Sequence, residues 1–147
     1  MIVCDDNIRV SQWVSARMGD VGWSACQSIG LERRGKLIAG VVYDYFNGAS
    51  ICMHVAAEGS HWLNREFLWY SFHYPFVELG CQRVTGLIPE SNCPSRRFAE
   101  HIGFEPETKL ERAHKDGSVI VYRMFRERCR WLRVRGNNEQ TIVACHA

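Results

Sequence analysis

Apolar positions along the chain change their period several times, and each change marks an element. Asp5 and Asp6 precede Ile8, Val10, Trp13, Val14 and Met18, which approximate a helical stripe that stops at Gly19. From Ser28 to Ala57 the pattern turns to strand language: "SIGLER", a turn at Arg34-Gly35, "KLIAGVVYDYFN", Gly48, and "SICMHVAA". These predict three antiparallel strands joined by short turns. Between Leu63 and Leu79, Phe67, Leu68, Tyr70, Phe72, Tyr74, Phe76 and Val77 cover most sides of a helix ending at Gly80, with Pro75 distorting its last turns. "QRVTGLI" reads as a strand. In "PESNCPSRRFAEHIGF", Pro94 suits the first turn of a short helix, Phe98 and Ile102 share a face, and Gly103 is a left-handed stop. Two strands, "TKLERAH" and "SVIVYRMF", close the pattern around a Lys115-Asp116-Gly117 turn. The order helix, three strands, helix, strand, helix, two strands predicts a mixed α+β domain with a central sheet.

A chain of 147 residues with 46% hydrophobic content fits one domain with a real core. We place that domain at 1–132 and a C-terminal tail at 133–147, where "RGNNEQ" reads as a linker and "TIVACHA" as a strand or a disordered end. Eighteen Lys+Arg against 16 Asp+Glu leave a net charge of +2, so composition forces no broad basic face for nucleic acid. No apolar run approaches the roughly 18 residues needed to span a bilayer, which predicts a soluble cytoplasmic protein without a membrane partner. The seven cysteines are scattered and never spaced C-x-x-C, which favours reduced thiols over a disulfide frame or zinc site. Six histidines show no paired spacing, so no metal site is expected.

The run "FVELGCQRVTGLIPESNCPSRRFAEHIGFEPE" after a long helix carries a resemblance. From about Ile38 to Leu132 the chain resembles the GCN5-related N-acetyltransferases, most closely the branch of the ribosomal-protein alanine acetyltransferases. The resemblance implies a mostly antiparallel mixed sheet flanked by helices, and direct acetyl transfer from acetyl-CoA to a primary amine. In this family the cofactor lies in a V-shaped opening between two central strands and hydrogen-bonds to strand backbone. By position "ICMHVAA" is one wall, with Val55 and Ala57 near its end, and "RVTGLI" is the other. Asn92 then falls where the family's Asn contacts the cofactor, and Ser95 where this branch places a hydroxyl near the sulfur to assist the departing thiolate. Other branches use a Tyr on the same helix, and Ala99 stands at that position. Tyr122 on the last strand has no place assigned by sequence. The family's R/Q-x-x-G-x-G/A loop binds pyrophosphate through backbone N–H groups and a helix N-terminus. Here it reads "AAEGSHWLNREF", putting Gly59, Ser60, His61, Trp62, Leu63 and Asn64 in the phosphate positions with a single glycine. The site is either rebuilt, with Ser60, His61 or Arg65 adding contacts, or lost.

Each of these residues also has a structural role open to it. Asn92 caps a helix with or without a ligand. His54 is either a relay for the acceptor amine's proton or a hydrogen-bonded core residue, and Glu58 and Glu90 are alternative bases. The acceptor class stays open among peptide N-termini, lysine side chains and small amines. The short segment before Ile38 leaves the acceptor side open or completed by another chain, as in a homodimer. The rival to an enzyme is a catalytically inactive module of the same fold in a larger assembly.

Overall fold

The computed structural model describes residues 1–60 and 62–133. Among them a seven-stranded sheet runs in the order β1 (Ile2–Val3), β2 (Gln27–Arg33), β3 (Lys36–Asp44), β4 (Ser50–Ala57), β5 (Arg83–Pro89), β7 (Gly117–Phe125) and β6 (Glu105–His114). All neighbours are antiparallel except β4 and β5, which are parallel. Helices α1 (Asn7–Arg17), α2 (Arg65–His73) and α3 (Cys93–Ile102) complete the α+β fold. β1 has no counterpart in the sequence reading, because two residues carry no period.

All three helices begin on a side-chain oxygen that satisfies an orphan N–H. Asp6 accepts from the Arg9 amide at 3.2 Å, Asn64 from Phe67 at 2.8 Å and Asn92 from Ser95 at 3.3 Å. The β2–β3 turn takes both of its residues left-handed, Arg34 at φ +50° and Gly35 at +76°, which matches the twist of a tight hairpin. The helix anticipated over Leu63 to Leu79 is shorter: α2 gives way at Pro75 to one wide π-helical turn, Tyr74–Glu78, since proline cannot supply the next helical N–H. In α1 the buried apolar residues are Val10 and Val14, whereas Ile8 is 71% exposed.

Two cores sit on opposite faces of the sheet. Under α2 and α3 lies the larger one, with Phe67, Phe72, Phe76, Ile102, Phe104, Tyr122 and Met124 among its members. The Tyr43 hydroxyl, buried beneath α2, donates to the Ser71 carbonyl at 2.5 Å. Burial pushes that phenol's pKa well up, so it stays a donor. Under α1 lies a small core of Val3, Val10, Val14, Leu37 and Val42. There Gly30 and Gly40 face each other across β2 and β3, and a Cβ on Gly40 would stand 2.6 Å from a Val14 methyl. The paired glycines let the helix backbone sit close to the sheet.

Cys26, Cys52, Cys81, Cys93 and Cys129 are free thiols, and burial raises the pKa of Cys81 and Cys129. Reduced thiols throughout do not hold, because Cys4 is disulfide-bonded. The tail expectations for "RGNNEQ" and "TIVACHA" lie outside the described residues. No described helix is long and apolar enough to cross a membrane.

Candidate active site

Strands β4 and β5 pair over three positions only, Ser50 with Arg83, Ile51 with Val84 and Cys52 with Thr85. Beyond these, β4 from Met53 to Ala57 stays bonded to β3, while β5 from Gly86 to Pro89 stays bonded to β7. The sheet therefore opens as a V, and the backbone edges facing the gap have no strand partner there among the described residues. Such an edge accepts an extended chain as it would another strand.

A cleft of about 120 Å³ occupies the gap. Its β4 wall is Met53, His54 and Val55, its β5 wall Gly86 to Pro89, and its α3 wall Asn92, Ser95, Phe98, Ala99 and Ile102. Gly86 keeps the β5 wall low, since it lies opposite Tyr122 and projects no side chain into the gap. Of the sequence candidates, the structure brings His54, Val55, Asn92 and Ser95 together here. Asn92 is an exposed cap for α3, and Ser95 is half-buried one turn further on.

Tyr122 is fully buried in the cleft wall and pins α3 to β7. Its hydroxyl donates to Glu100 at 3.1 Å and accepts from Arg96 Nε at 3.1 Å. Arg96 also donates to the Glu90 carbonyl, and its hydrogen bond to Tyr122 holds the guanidinium pKa above its ordinary value. Ala99 is buried against this wall, so the position that bears a tyrosine in other branches is filled by core contacts.

His54 points to the opposite face, as strand alternation requires beside Met53 and Val55 of the larger core. Its Nε2 lies 2.8 Å from Asp44 Oδ1, and its ring is tilted on Trp23 at 5.0 Å. The two other carboxylates considered as bases are engaged elsewhere. Glu58 is held by Arg17, which lies over the Trp13 ring, and Glu90 by Lys109 at 2.7 Å.

The segment from β4 to α2 stands beside the cleft. Ala57 pairs with Ala39 and packs on the larger core, Gly59 turns left-handed at φ +72°, and Ser60 and Leu63 are exposed. Asn64 caps α2, whose first turn carries Arg65 and the acidic Glu66. Trp62 does not fill the cleft: it is tucked against Phe98 at 4.9 Å and Phe67 at 6.4 Å. His61 lies outside the described residues. Arg17 pairs with Glu58, an acidic residue that precedes the helix end where a phosphate is favoured, and Glu66 in the first turn of α2 adds a second acidic group there.

Sequence reasoning did not find Asp44, Trp23, Met18, Phe98, Ile102 or Phe104 as site neighbours. Asp44 reaches His54 diagonally, because β3 places Val42 and not Asp44 directly opposite it. That register is set by the sheet and leaves no motif. Among the described residues no cluster of His, Cys, Asp and Glu is arranged to hold a metal ion.

No family model matches the chain, and no curated protein is significantly similar in sequence. Solved structures do match. A ribosomal-protein-S5-alanine acetyltransferase from Vibrio fischeri superposes with a TM-score of 0.58 at 13% identity, covering 84% of this chain and 70% of that one. A GNAT-family acetyltransferase from Bacillus anthracis gives 0.56 at 19%, covering 68% and 66%. A mutant spermidine/spermine N-acetyltransferase from Vibrio cholerae gives 0.60 at 16%, covering 81% and 76%. At these identities the likeness is one of fold.

Proposed function

For a chain with the GCN5-related N-acetyltransferase fold, we propose direct transfer of an acetyl group from acetyl-CoA to a primary amine. The observation that carries this reading is the V between Met53–Ala57 and Gly86–Pro89, with unpaired backbone along a cleft that ends at the α3 N-terminus. Val55 and Ala57, on the β4 edge, would hold the pantetheine arm through their backbone groups. The acceptor enters from the α1 face. Its neutral nitrogen attacks the thioester carbon, the N–C bond forms, the C–S bond breaks, and the amine's surplus proton leaves to His54. Ser95 hydrogen-bonds the departing thiolate. Asn92, whose own backbone turn starts α3, contacts the cofactor.

The pyrophosphate site on this reading is rebuilt from the α2 N-terminus, Gly59, Ser60 and Arg65, with Arg17 removing the repulsion of Glu58. Among the described residues the cleft lining contains no carboxylate, which suits an acceptor carrying a single amine, such as a peptide N-terminus or lysine, better than a polyamine. The altered loop favours a second reading, an inactive module of the same fold.

Calorimetric titration with acetyl-CoA separates the two. Saturable binding near the micromolar range, lost in Ser60→Glu, supports the transferase, and Ser95→Ala then lowers kcat roughly tenfold to a hundredfold with little change in affinity for acetyl-CoA. No binding at millimolar cofactor overturns the transferase and leaves the module.

A further inference from the structure

On the α1 face, one step from the apex where β4 and β5 part, three side chains from three segments converge. His54 comes from β4, Asp44 from the end of β3, and Trp23 from the connection between α1 and β2. The histidine and the aspartate are largely shielded, at 15% and 12% side-chain exposure, yet His54 is part of the cleft wall. A buried ion pair whose only task is stability is a weak device, since removing both partners often costs little. A carboxylate held at 2.8 Å from one ring nitrogen has a definite chemical effect. A carboxylate only accepts, so in the neutral ring the proton resides on Nε2 and the lone pair on Nδ1.

We propose that Asp44 is the positioning residue of a carboxylate–imidazole pair in which the Nδ1 lone pair of His54 takes the proton lost by the acceptor amine. This rests on the acetyl-transfer reading above. Asp44 fixes the tautomer and the ring direction. Trp23 limits the ring's tilt, and its own indole N–H is anchored on the Ser11 carbonyl of α1 at 3.0 Å. After transfer, the proton passes from Nδ1 to solvent and the thiolate is protonated separately, so charge balances over one turnover.

The groups facing this pair are few. From the connection just before β2 comes Cys26 and from β4 comes Cys52. Burial, with Asp44 as the next cause, raises the pKa of both thiols, so they remain neutral neighbours. From β5 comes Arg83, which is committed to Glu107 through two contacts at 3.1 and 2.6 Å. Asp44 is therefore the ionisable group in direct contact with the imidazole among the described residues.

The test uses the full chain and two independent readouts. In wild-type protein labelled with ¹⁵N on histidine, the His54 ring is expected as the Nε2–H tautomer. In Asp44→Asn this preference is lost, because an amide presents a donor as readily as an acceptor. In a coupled assay with acetyl-CoA and a model peptide amine, Asp44→Asn is expected to lower kcat tenfold or more, leaving the calorimetric affinity for acetyl-CoA unchanged. In His54→Gln the limb of the pH–rate profile that reports a histidine disappears. An Nδ1–H tautomer in the wild type, or an Asp44→Asn enzyme with unchanged kcat and pH profile, overturns the pair while leaving acetyl transfer standing. A wild type that neither binds acetyl-CoA nor acetylates the peptide overturns both.

Discussion

The face of the sheet under α2 and α3 is sealed by large side chains, whereas the face under α1 is sealed by small ones brought very close. On the first, Phe72 has no exposure and packs on Phe76 and Phe104 at 6.2 and 6.0 Å between ring centres. On the second, Val10 and Val14 lie against the paired glycines Gly30 and Gly40. That second cover spans β2, β3 and β4. On the other half of the same face, beside β5, the sheet carries ion pairs instead: Arg83 with Glu107, and Arg123 with Glu105 and Glu107. One face is built for permanence and the other leaves room beside the cleft for an incoming chain.

Three substitutions sharpen this contrast, and each is read by urea denaturation. Phe72→Ala is expected to cost about 3–5 kcal/mol, because an aromatic cavity in the larger core cannot collapse. A loss near zero would show that this core is loosely packed. Gly40→Ala is expected to cost about 1–3 kcal/mol, since the added methyl meets Val14 at 2.6 Å. The matched change Gly86→Ala places its methyl at an ordinary 3.8 Å from Tyr122 and is expected to leave stability nearly unchanged. Equal costs at the two glycines would erase the distinction between a helix seated close on the sheet and a cleft wall with room beside it.

The smallest effect concerns the ion pairs. The hydrogen bond from Arg83 holds the Glu107 carboxyl below its ordinary pKa. A depressed folded value stabilises the protein above the unfolded carboxylate range, and that contribution is lost as pH falls through the folded value. Glu107→Gln is therefore expected to be slightly less stable than wild type at neutral pH and equal to it at strongly acid pH, with salt narrowing the neutral difference. A difference that persists in acid would point to packing instead.

What the sequence disclosed followed locality. Asp6 and Asn92 announced helix starts because a cap acts three residues away, whereas Asn64, read as a loop residue in a phosphate position, proved to cap α2; Arg34-Gly35 announced a hairpin because a two-residue turn needs left-handed residues. The run from Phe76 to Glu107 disclosed the fold because its order and spacing are one supersecondary unit. Other features depend on partners far along the chain. Ile8 fitted the helical stripe but is exposed, because the stripe that meets the sheet runs through Val10 and Val14. β7 inserts between β5 and β6, so Tyr122 enters the cleft wall through a strand order that no local pattern reports. Trp62 sat in a loop by position and packs with Phe67 and Phe98 by contact. Asp44 and His54 meet through a diagonal of the β3–β4 ladder.

The three rungs between β4 and β5 make the sheet two rafts lashed at one corner, β1 to β4 on one side and β5, β7 and β6 on the other. Among the described residues no strand pairing crosses the wedge beyond those three rungs. Met53 on one raft and Tyr122 and Met124 on the other rest on the same aromatic ballast of Phe72, Phe76 and Phe104. The gauge of the opening is thus set by side-chain volume beneath it: the larger core determines how wide a molecule the gap admits, and a swap of equal volume there changes the fit before it changes the fold.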